Sequence, residues 1–478
     1  MPASASAPLD DGSGRLSKRA WGALLVLCGA LFLDALDVSM TGVALPSIRT
    51  DLDMSTSSLQ WVVSAYVLGY GGFLLLGGRA ADLLGRRRMF LISLGVFVVA
   101  SGLGALTNDG TLLIATRFIK GVAAGFTAPA GLSIITTSFA EGPARNKALA
   151  IYTATGATGF SLGLVFSGVL TEIGWRWVFL FPVPMALLVL LAAIRLVPND
   201  GRPSRIGSRF DVAGAFGVTA GMLLLVYSLV EAPEQGWTSA RTLAGLAGAV
   251  AILIAFILHE RRTPDPLVRL GILRSGPLVR ANLAAMALIG GWFGFQFIAM
   301  LYLQQLRGWT PVETGLAIFP AGLLVAFLAP RMAPLIERYG AVRLVGLGLA
   351  STGIGYALFL PIGLDSGYVT AMLPTFLFAG LGFGLAYGPV NVAATNGVAP
   401  QEQGLAGGLV NTSFQFGGAL VLAIATAVNN ANTGNSPAAL LDGFQAAVTV
   451  SVIVAVLGTA AALVGRRDAA AEVATAEA

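Results

Sequence analysis

Long apolar stretches recur along the whole chain, and the short segments between them carry most of the charged residues. Each stretch holds about 20 residues, enough for an α-helix rising 1.5 Å per residue to cross a hydrocarbon core of roughly 30 Å. The pattern predicts an all-α polytopic membrane protein. The fourteen predicted helices have the approximate limits 20–44, 59–78, 89–107, 111–133, 147–170, 175–197, 211–230, 241–258, 279–302, 312–331, 342–361, 368–391, 404–427 and 444–464.

Composition supports this prediction and removes several classes of site. Hydrophobic residues make up 56% of the chain and charged residues 11%, against about 25% charged residues in soluble domains. Cys28 is the single cysteine, which excludes an intramolecular disulfide and a cysteine-based metal site. The single histidine, His259, lies where an apolar run meets charged residues, which argues against histidine ligands or a histidine base. We expect no metal, no catalytic residues and no enzyme activity.

The basic residues orient the helices. With a cytoplasmic N-terminus, 23 of the 29 Lys and Arg fall in cytoplasmic segments, as the positive-inside rule requires. Only Arg49, Arg176, Arg241 and Arg307 fall in outer connections. This bias predicts an even number of helices with both termini in the cytoplasm, in a bacterial plasma membrane. The net charge of +5 then follows from topology, so we expect no nucleic-acid partner.

An internal repeat organises the helices. Predicted helices 2 and 10 are followed by the related segments "RAADLLGRRR" and "PLIERYGAVR", and helices 5 and 13 are both glycine-rich. Paired repeats are typical of secondary transporters with a site between the two halves. The chain is therefore divided into a disordered tail (1–19), a six-helix bundle (20–200), an inserted helix pair (201–265), a second six-helix bundle (266–465) and a tail (466–478), a 6+2+6 arrangement.

Several motifs resemble those of the major facilitator superfamily, specifically its fourteen-helix drug:proton antiporters. The stretch from Asp37 to Pro46 is similar to the family's helix 1 motif, and Arg117 with Gly121 to its helix 4 motif. The remaining matches are a conformational latch after helix 2 (Gly78, Asp82, Gly85, Arg86, Arg87) and the antiporter motif of helix 5 (Gly159, Gly163, Gly168). The chain departs from the family at Gly42, Lys120, Leu164, Ser167 and Pro182.

The resemblance implies a major facilitator fold in which helices 1 and 4 line a central cavity. A charge at the bilayer centre costs roughly 2.5–3.5 kcal/mol on insertion scales, so intramembrane charges need partners. Asp37 and Arg117 lie at matching depths, and Asp34 and Lys120 each lie one turn deeper. We therefore predict two pairs, Asp37 with Arg117 and Asp34 with Lys120. The alternative is a purely structural network joining the two helices.

The favoured function is export of small lipophilic compounds by proton antiport with alternating access. Asp37, Asp34 and Arg117 are the proton-coupling candidates, and a proton gradient replaces any cofactor. The alternative is a facilitator or lipid transporter of the same fold without strict antiport. The neutral charge balance predicts a preference for neutral, zwitterionic or weakly anionic amphiphiles over mono- and dications. We expect the protein to function as a monomer. Candidate cavity residues are Lys120, Tyr66, Trp292, Gln296, Phe383, Tyr387, Asn391, Asn411 and Gln415.

Overall fold

The computed structural model describes residues 17–139, 143–198, 211–263, 266, 270–396, 398, 403–434 and 436–476. The predicted N-terminal tail lies almost wholly outside these residues, as does the basic segment 201–210. Within the described residues the regular structure is helical. The helices are α1 (Lys18–Asp51), α2 (Thr56–Leu84), α3 (Arg86–Leu106), α4 (Gly110–Ser138), α5 (Pro143–Ile173), α6 (Arg176–Leu196), α7 (Val212–Gln235), α8 (Ala240–Glu260), α9 (Gly276–Leu306), α10 (Pro311–Tyr339), α11 (Ala341–Phe359), α12 (Tyr368–Thr395), α13 (Gln403–Asn432) and α14 (Pro437–Ala476).

These helices correspond in order to the fourteen predicted ones. Among the described residues, eleven are long and apolar enough to cross a membrane by length and composition, and two shorter apolar segments lie in α5 and α7. Local irregularities fall inside the units: α6 is interrupted at Phe181, and π-helical turns end α9 (Tyr302–Leu306) and begin α12 (Tyr368–Met372). The chain is a multi-pass membrane protein.

Helix ends differ from the predicted limits because an apolar run marks the membrane segment and not the helix terminus. Helix α1 continues through Pro46 to Asp51, where the backbone N–H of Leu52 donates to Ile48 O. Helix α14 continues past 464 to Ala476, into the segment predicted as a tail. That segment is rich in alanine and charged residues of high helix propensity, so the helix extends beyond the apolar stretch.

Packing between helices follows the internal repeat. In the first half α1 packs against α5, and α2 packs against α4; in the second half α9 packs against α13, and α10 packs against α12. The halves meet through α2 with α13 and through α5 with α10. Each of these interfaces joins the second helix of one half to the fifth helix of the other half. The repeat seen in the sequence is therefore a repeat of structure.

The turns that follow α2 and α10 show the same equivalence in detail. Gly85 and Gly340 occupy corresponding places and have φ of 98° and 79°, a region that favours glycine. Their backbone N–H groups donate to the matching carbonyls, Ala81 O and Ile336 O, and so close the last turn of each helix. A residue with a Cβ at either position would strain the connection.

The hydrophobic cores show where the halves touch. At the end of the bundle opposite the N-terminus of α1, side chains of both halves form one shared core, in which Val43 and Ile48 join Met300 and Leu303. At the N-terminal end each half has a separate core, one built from α1, α3, α4, α5 and α6 and the other from α9, α11, α12, α13 and α14. Polar contacts also join the halves at the opposite end, where Gln304 Nε2 donates to Val43 O at 2.9 Å. Among the described residues, the halves therefore share one hydrophobic core at one end and have separate cores at the other.

The inserted pair α7 and α8 lies against the α2–α13 interface, where Thr219 Oγ1 donates to Gly72 O at 2.6 Å. Asp211 precedes α7 and accepts from the backbone N–H of Gly214 at 2.7 Å, while His259 Nε2 on α8 lies 2.8 Å from the same oxygen. Burial opposes ionisation there, but the hydrogen bonds from Gly214 and His259 hold the pKa of Asp211 below its usual value. The single histidine thus joins the ends of two helices.

Candidate functional site

Three buried charges meet where α1 crosses α4. Asp37 is fully buried; its Oδ2 pairs with Arg117 Nη1, and its Oδ1 pairs with Lys120 Nζ. Arg117 and Lys120 are equally buried, at 1% and 0% exposure. The i, i+3 spacing of the two cations on α4 lets both reach one carboxylate. The predicted Asp37–Arg117 pair is present, and we call these three residues the Asp37 cluster.

Arg117 is positioned by the close approach of α4 to α2. A Cβ on Gly121 would overlap the carbonyl oxygen of Tyr66, so only glycine lets the two backbones approach this closely. At that separation Arg117 Nε donates to Val62 O at 2.9 Å, and its guanidinium lies 4.5 Å from the centre of the Tyr66 ring. A carbonyl, a carboxylate and an aromatic face therefore compensate the buried cation.

Lys120 is held by residues that the motifs did not indicate. Its Nζ donates to Ser101 Oγ at 3.0 Å and lies 4.6 Å from the centre of the Phe97 ring, both on α3. Ser101 in turn donates to Phe179 O on α6 at 2.7 Å. Lys120, a departure from the family's pattern, therefore occupies a site whose contacts link four helices.

Asp34 does not pair with Lys120, so that prediction is wrong. Lys120 reaches Asp37 instead, and among the described residues no lysine or arginine forms an ion pair with Asp34. Asp34 is 6% exposed, and its Oδ2 has no hydrogen-bond partner. Matching depths predicted the pairing, but depth does not say which carboxylate the flexible lysine chain approaches. Among the described residues, one buried carboxylate thus has two ion pairs and its neighbour has none.

In the second half, aromatic rings of α9, α12 and α13 contact one another in a row. Trp292 on α9 contacts Phe383 on α12 at 5.8 Å between ring centres, and Phe383 stacks on Tyr387 at 5.4 Å. Tyr387 stacks in turn on Phe414 of α13 at 5.2 Å. We call these four residues the aromatic wall. It reaches the first half through Phe160, 6.3 Å from Trp292, and the buried Trp292 Nε1 has no hydrogen-bond partner.

The four amide candidates take different positions. Gln296 packs over α1, where a Cβ on Gly42 would lie 3.3 Å from its Nε2. Gln415 packs against Gly71 within the α2–α13 interface. Asn391 and Asn411 donate to carbonyls of their own helices, at 3.0 and 2.9 Å, so part of their hydrogen-bonding capacity is already used. Gln296 and Gln415 therefore lie at contacts between the halves.

The latch and helix 5 motifs lie at helix contacts. Arg87 donates to Ile194 O on α6, Gly78 lies on α2 and Arg86 begins α3. The side chain of Asp82 lies outside the described part. Gly159 and Gly163 let α5 approach α1, whereas Gly168 faces Pro311 and Val312 across the interface between halves. Ser167, which replaces a glycine of the motif, donates to Met40 O on α1.

Sequence reasoning missed Tyr70 and Tyr152. Tyr70 follows Tyr66 by one turn of α2, at a ring distance of 6.2 Å, and Tyr152 is a buried residue of α5. Tyr152 packs against α4, where a Cβ on Gly131 would lie 3.0 Å from its Oη. The i, i+4 spacing of Tyr66 and Tyr70 was the available signal, whereas nothing local distinguishes Tyr152.

Paired six-helix repeats around buried ionisable and aromatic groups define a helical membrane protein with the architecture of secondary transporters. Residues 27–422 match the Major Facilitator Superfamily, and the chain belongs to that family.

Named relatives cover most of the chain. It is 39% identical over 453 residues to the puromycin resistance protein pur8 of Streptomyces alboniger, which spans 92% of this chain and 89% of the relative. It is 36% identical over 454 residues to the cephamycin export protein CmcT of Amycolatopsis lactamdurans, spanning 93% of each. The solved POT family transporter PepTSo shares the fold, with a TM-score of 0.67, 18% identity and coverage of 92% and 97%. The family recognised from the motifs is confirmed.

Proposed function

We propose that the protein exports small lipophilic compounds of the antibiotic type in exchange for protons. The observation that carries the proposal is the asymmetric packing of the halves, which share one core at one end and have separate cores at the other. Closure at one end with separation at the other is the geometry of one alternating-access state. Buried charges and the aromatic wall lie between the two regions.

The relatives supply the substrate class. One is named for resistance to puromycin and another for export of cephamycin, both over nearly the full length of this chain. A compound of that kind offers apolar surface and a few polar groups, which suit aromatic rings with scattered hydrogen-bonding groups. The chain therefore acts as a transporter and not as an enzyme.

Proton exchange is the proposed energy source, because the site holds carboxylates at membrane depth. A buried carboxylate changes its proton affinity when its solvation or its cationic neighbours change. Rearrangement of the halves would change the solvation of Asp34 and Asp37 on α1. A proton gradient would then drive export without another cofactor, in a protein that functions as a monomer.

Orientation follows from charge. Basic residues concentrate at the end of the bundle where α1 begins. We therefore place that end, with both termini, on the cytoplasmic side of a bacterial plasma membrane. The structure then corresponds to a state open toward the cytoplasm, the side from which an exporter collects its substrate.

Efflux in inverted membrane vesicles tests the proposal. An imposed inward-acid pH gradient should drive uptake of puromycin into vesicles containing the protein, and a protonophore should stop it. Vesicles without the protein provide the control. A minimum inhibitory concentration for puromycin that rises several-fold in an efflux-deficient host would support the same function.

Two results would contradict it. If the protein speeds the equilibration of puromycin to the same extent with and without the pH gradient, the result would favour the alternative function, a facilitator without proton antiport. Unchanged susceptibility to puromycin and to a cephamycin, with the protein present in the membrane, would remove the antibiotic substrate class.

A further inference from the structure

We propose that a groove between α2 and α7 binds one molecule of phosphatidylethanolamine from the surrounding bilayer. In this site an acyl chain fills the groove, Glu231 accepts from the ammonium group, and Arg241 donates to the phosphate. The groove lies where the inserted helix pair meets the first half, apart from the Asp37 cluster and the aromatic wall. The inference goes beyond the proposed export function and does not depend on it.

The groove has two apolar walls of equal length. Trp61 and Leu68 are seven positions apart on α2, as are Ala220 and Tyr227 on α7, which corresponds to about 10 Å of helix. The cavity volume is about 450 Å³. All of its lining side chains are aliphatic or aromatic: Trp61, Leu68, Ala220, Leu223, Leu224 and Tyr227.

Two hydrogen bonds between the helices bound the groove. At its deep end Thr219 Oγ1 donates to Gly72 O at 2.6 Å, and at its shallow end Trp61 Nε1 donates to Glu231 Oε1 at 3.2 Å. Between these contacts the side chains leave a space that is open along one side, where Tyr227 is 40% exposed. The groove is therefore held open by the same two helices that form its walls.

Its direction and depth suit a lipid chain. The walls belong to helices of a multi-pass membrane protein, and such helices tilt on average only about 20° from the bilayer normal. The groove thus runs from the headgroup level toward the bilayer centre, as an acyl chain does. Trp61 and Tyr227, at 5.8 Å between ring centres, mark its shallow end with the two residue types enriched at the membrane interface. An empty apolar groove would lose dispersion contacts along its lining, and a lipid chain restores them.

Charges of both signs flank the shallow end. Glu231 accepts from two neutral donors, Trp61 Nε1 and Gln235 Nε2, the latter at 3.0 Å, and it forms no ion pair with any described residue. Arg241 Nη2 donates to Tyr227 Oη at 3.3 Å, and within the described part of the chain it also has no carboxylate partner. Because the rings of Trp61 and Tyr227 contact each other, the carboxylate and the guanidinium lie at the same end of the groove.

A phosphatidylethanolamine headgroup complements both charges. Its ammonium has N–H groups to donate to Glu231, and its phosphate accepts from Arg241, whose guanidinium suits phosphate geometry. Phosphatidylcholine has the same phosphate, but its methylated amine has no N–H to donate. Phosphatidylglycerol has no cation for Glu231. Of these three lipids, only phosphatidylethanolamine offers a donor to the carboxylate and an acceptor to the guanidinium.

Native mass spectrometry of the purified full-length protein in detergent tests the proposal. The probes are dioleoyl lipids that share their chains and differ in headgroup: phosphatidylethanolamine, phosphatidylcholine and phosphatidylglycerol. One phosphatidylethanolamine should bind about tenfold more tightly than either other lipid, the size expected for a hydrogen bond between charged groups. Glu231→Gln should remove this preference and leave phosphatidylcholine binding unchanged. Glu172→Gln, the same change at an exposed carboxylate near the end of α5, is the matched control and should keep the preference.

Two further variants separate the headgroup from the chain. Arg241→Gln should weaken phosphatidylethanolamine and phosphatidylcholine alike, by about tenfold, because both carry the phosphate. Ala220→Phe places a ring in the groove and should weaken the binding of all three lipids. Ala247→Phe, the same change on the exposed side of α8, is its control and should bind as the unmodified protein does.

Equal affinity of the unmodified protein for the three lipids would overturn the proposal, because lipid would then cover the bundle without a headgroup site. A preference for phosphatidylethanolamine that persists in Glu231→Gln would also overturn it. Since no transport is measured, failure of gradient-driven efflux would contradict the proposed function and leave this result standing.

Discussion

The two halves have the same arrangement of helices but differ in the side chains that they place at the centre of the bundle. The offset that relates Gly85 to Gly340 also relates Tyr66 to Ala321, and these are the residues that Gly121 and Gly380 approach in their respective halves. Asp37 lies on α1 and Trp292 on α9, the first helices of their respective halves. The first helix of one half thus contributes to a charge cluster, whereas the first helix of the other contributes to an aromatic cluster.

The aromatic side is held by contacts that do not depend on ionisation. Phe295 stacks on Tyr356 at 4.8 Å and contacts Phe376 at 6.0 Å, all of them buried. On the charged side, both ion pairs of the Asp37 side chain depend on its ionisation. The comparison therefore places contacts that depend on ionisation in the first half and apolar ring contacts in the second.

The largest expected effect is that of Asp37→Asn. The substitution is nearly isosteric but leaves Arg117 and Lys120 buried without an anion, and removing one partner of a buried pair typically costs about 3–5 kcal/mol. We expect a clearly lower midpoint of thermal unfolding in detergent, together with loss of gradient-driven export. Asp34→Asn is the matched control, because it removes a carboxylate that has no ion-pair partner, and its midpoint should not fall.

A combined variant makes the first half resemble the second. With Asp37→Leu, Arg117→Leu and Lys120→Met, the charges leave together, and apolar replacement of a whole buried ion set is often neutral or stabilising. Most of the lost stability should return, while export stays absent. An Asp37→Asn protein as stable as the unmodified one would contradict the structural role of the cluster.

The second prediction tests whether the halves are equivalent in backbone. Gly121→Ala places a Cβ on the Tyr66 carbonyl, and Gly380→Ala places one 2.6 Å from the Ala321 carbonyl. Overpacking usually costs about 1–3 kcal/mol, and clashes with backbone exceed that range. We expect both variants to unfold at similarly reduced temperatures. Gly95→Ala, where a Cβ meets nothing within 4 Å, is the control.

The sequence predicts some features of the fold and of the candidate site and not others. The helix order and the repeat follow from hydropathy and spacing, and the Asp37–Arg117 pair follows from depth together with the helix arrangement that the family resemblance implies. The partner of Lys120 does not follow from the sequence, because its long flexible side chain can reach either of two carboxylates that lie one turn apart. Tyr152 and Phe160 also escaped prediction, since one aromatic residue in an apolar helix carries no signal of the face on which it lies.

The third prediction measures the partner of Lys120 directly. A double-mutant cycle on thermal stability with Lys120→Met and Asp37→Asn should show coupling of about 0.5–3 kcal/mol, the usual range for residues in contact. The same cycle with Asp34→Asn should be additive within about 0.5 kcal/mol. Stronger coupling to Asp34 than to Asp37 would mean that Lys120 pairs as the depth argument predicted.

The smallest expected effect concerns the contact that joins the two sides, Gly42 of α1 with Gln296 of α9. A Cβ at position 42 would lie 3.3 Å from Gln296 Nε2 and 3.9 Å from Met300 Cε, both at the ends of flexible side chains. Alanine gains about 1 kcal/mol over glycine in helix propensity, which opposes the small shift of Gln296. Gly42→Ala should therefore change the free energy of unfolding by less than about 1 kcal/mol. A loss as large as that of Gly121→Ala would show that α1 and α9 approach each other as closely as α2 and α4 do.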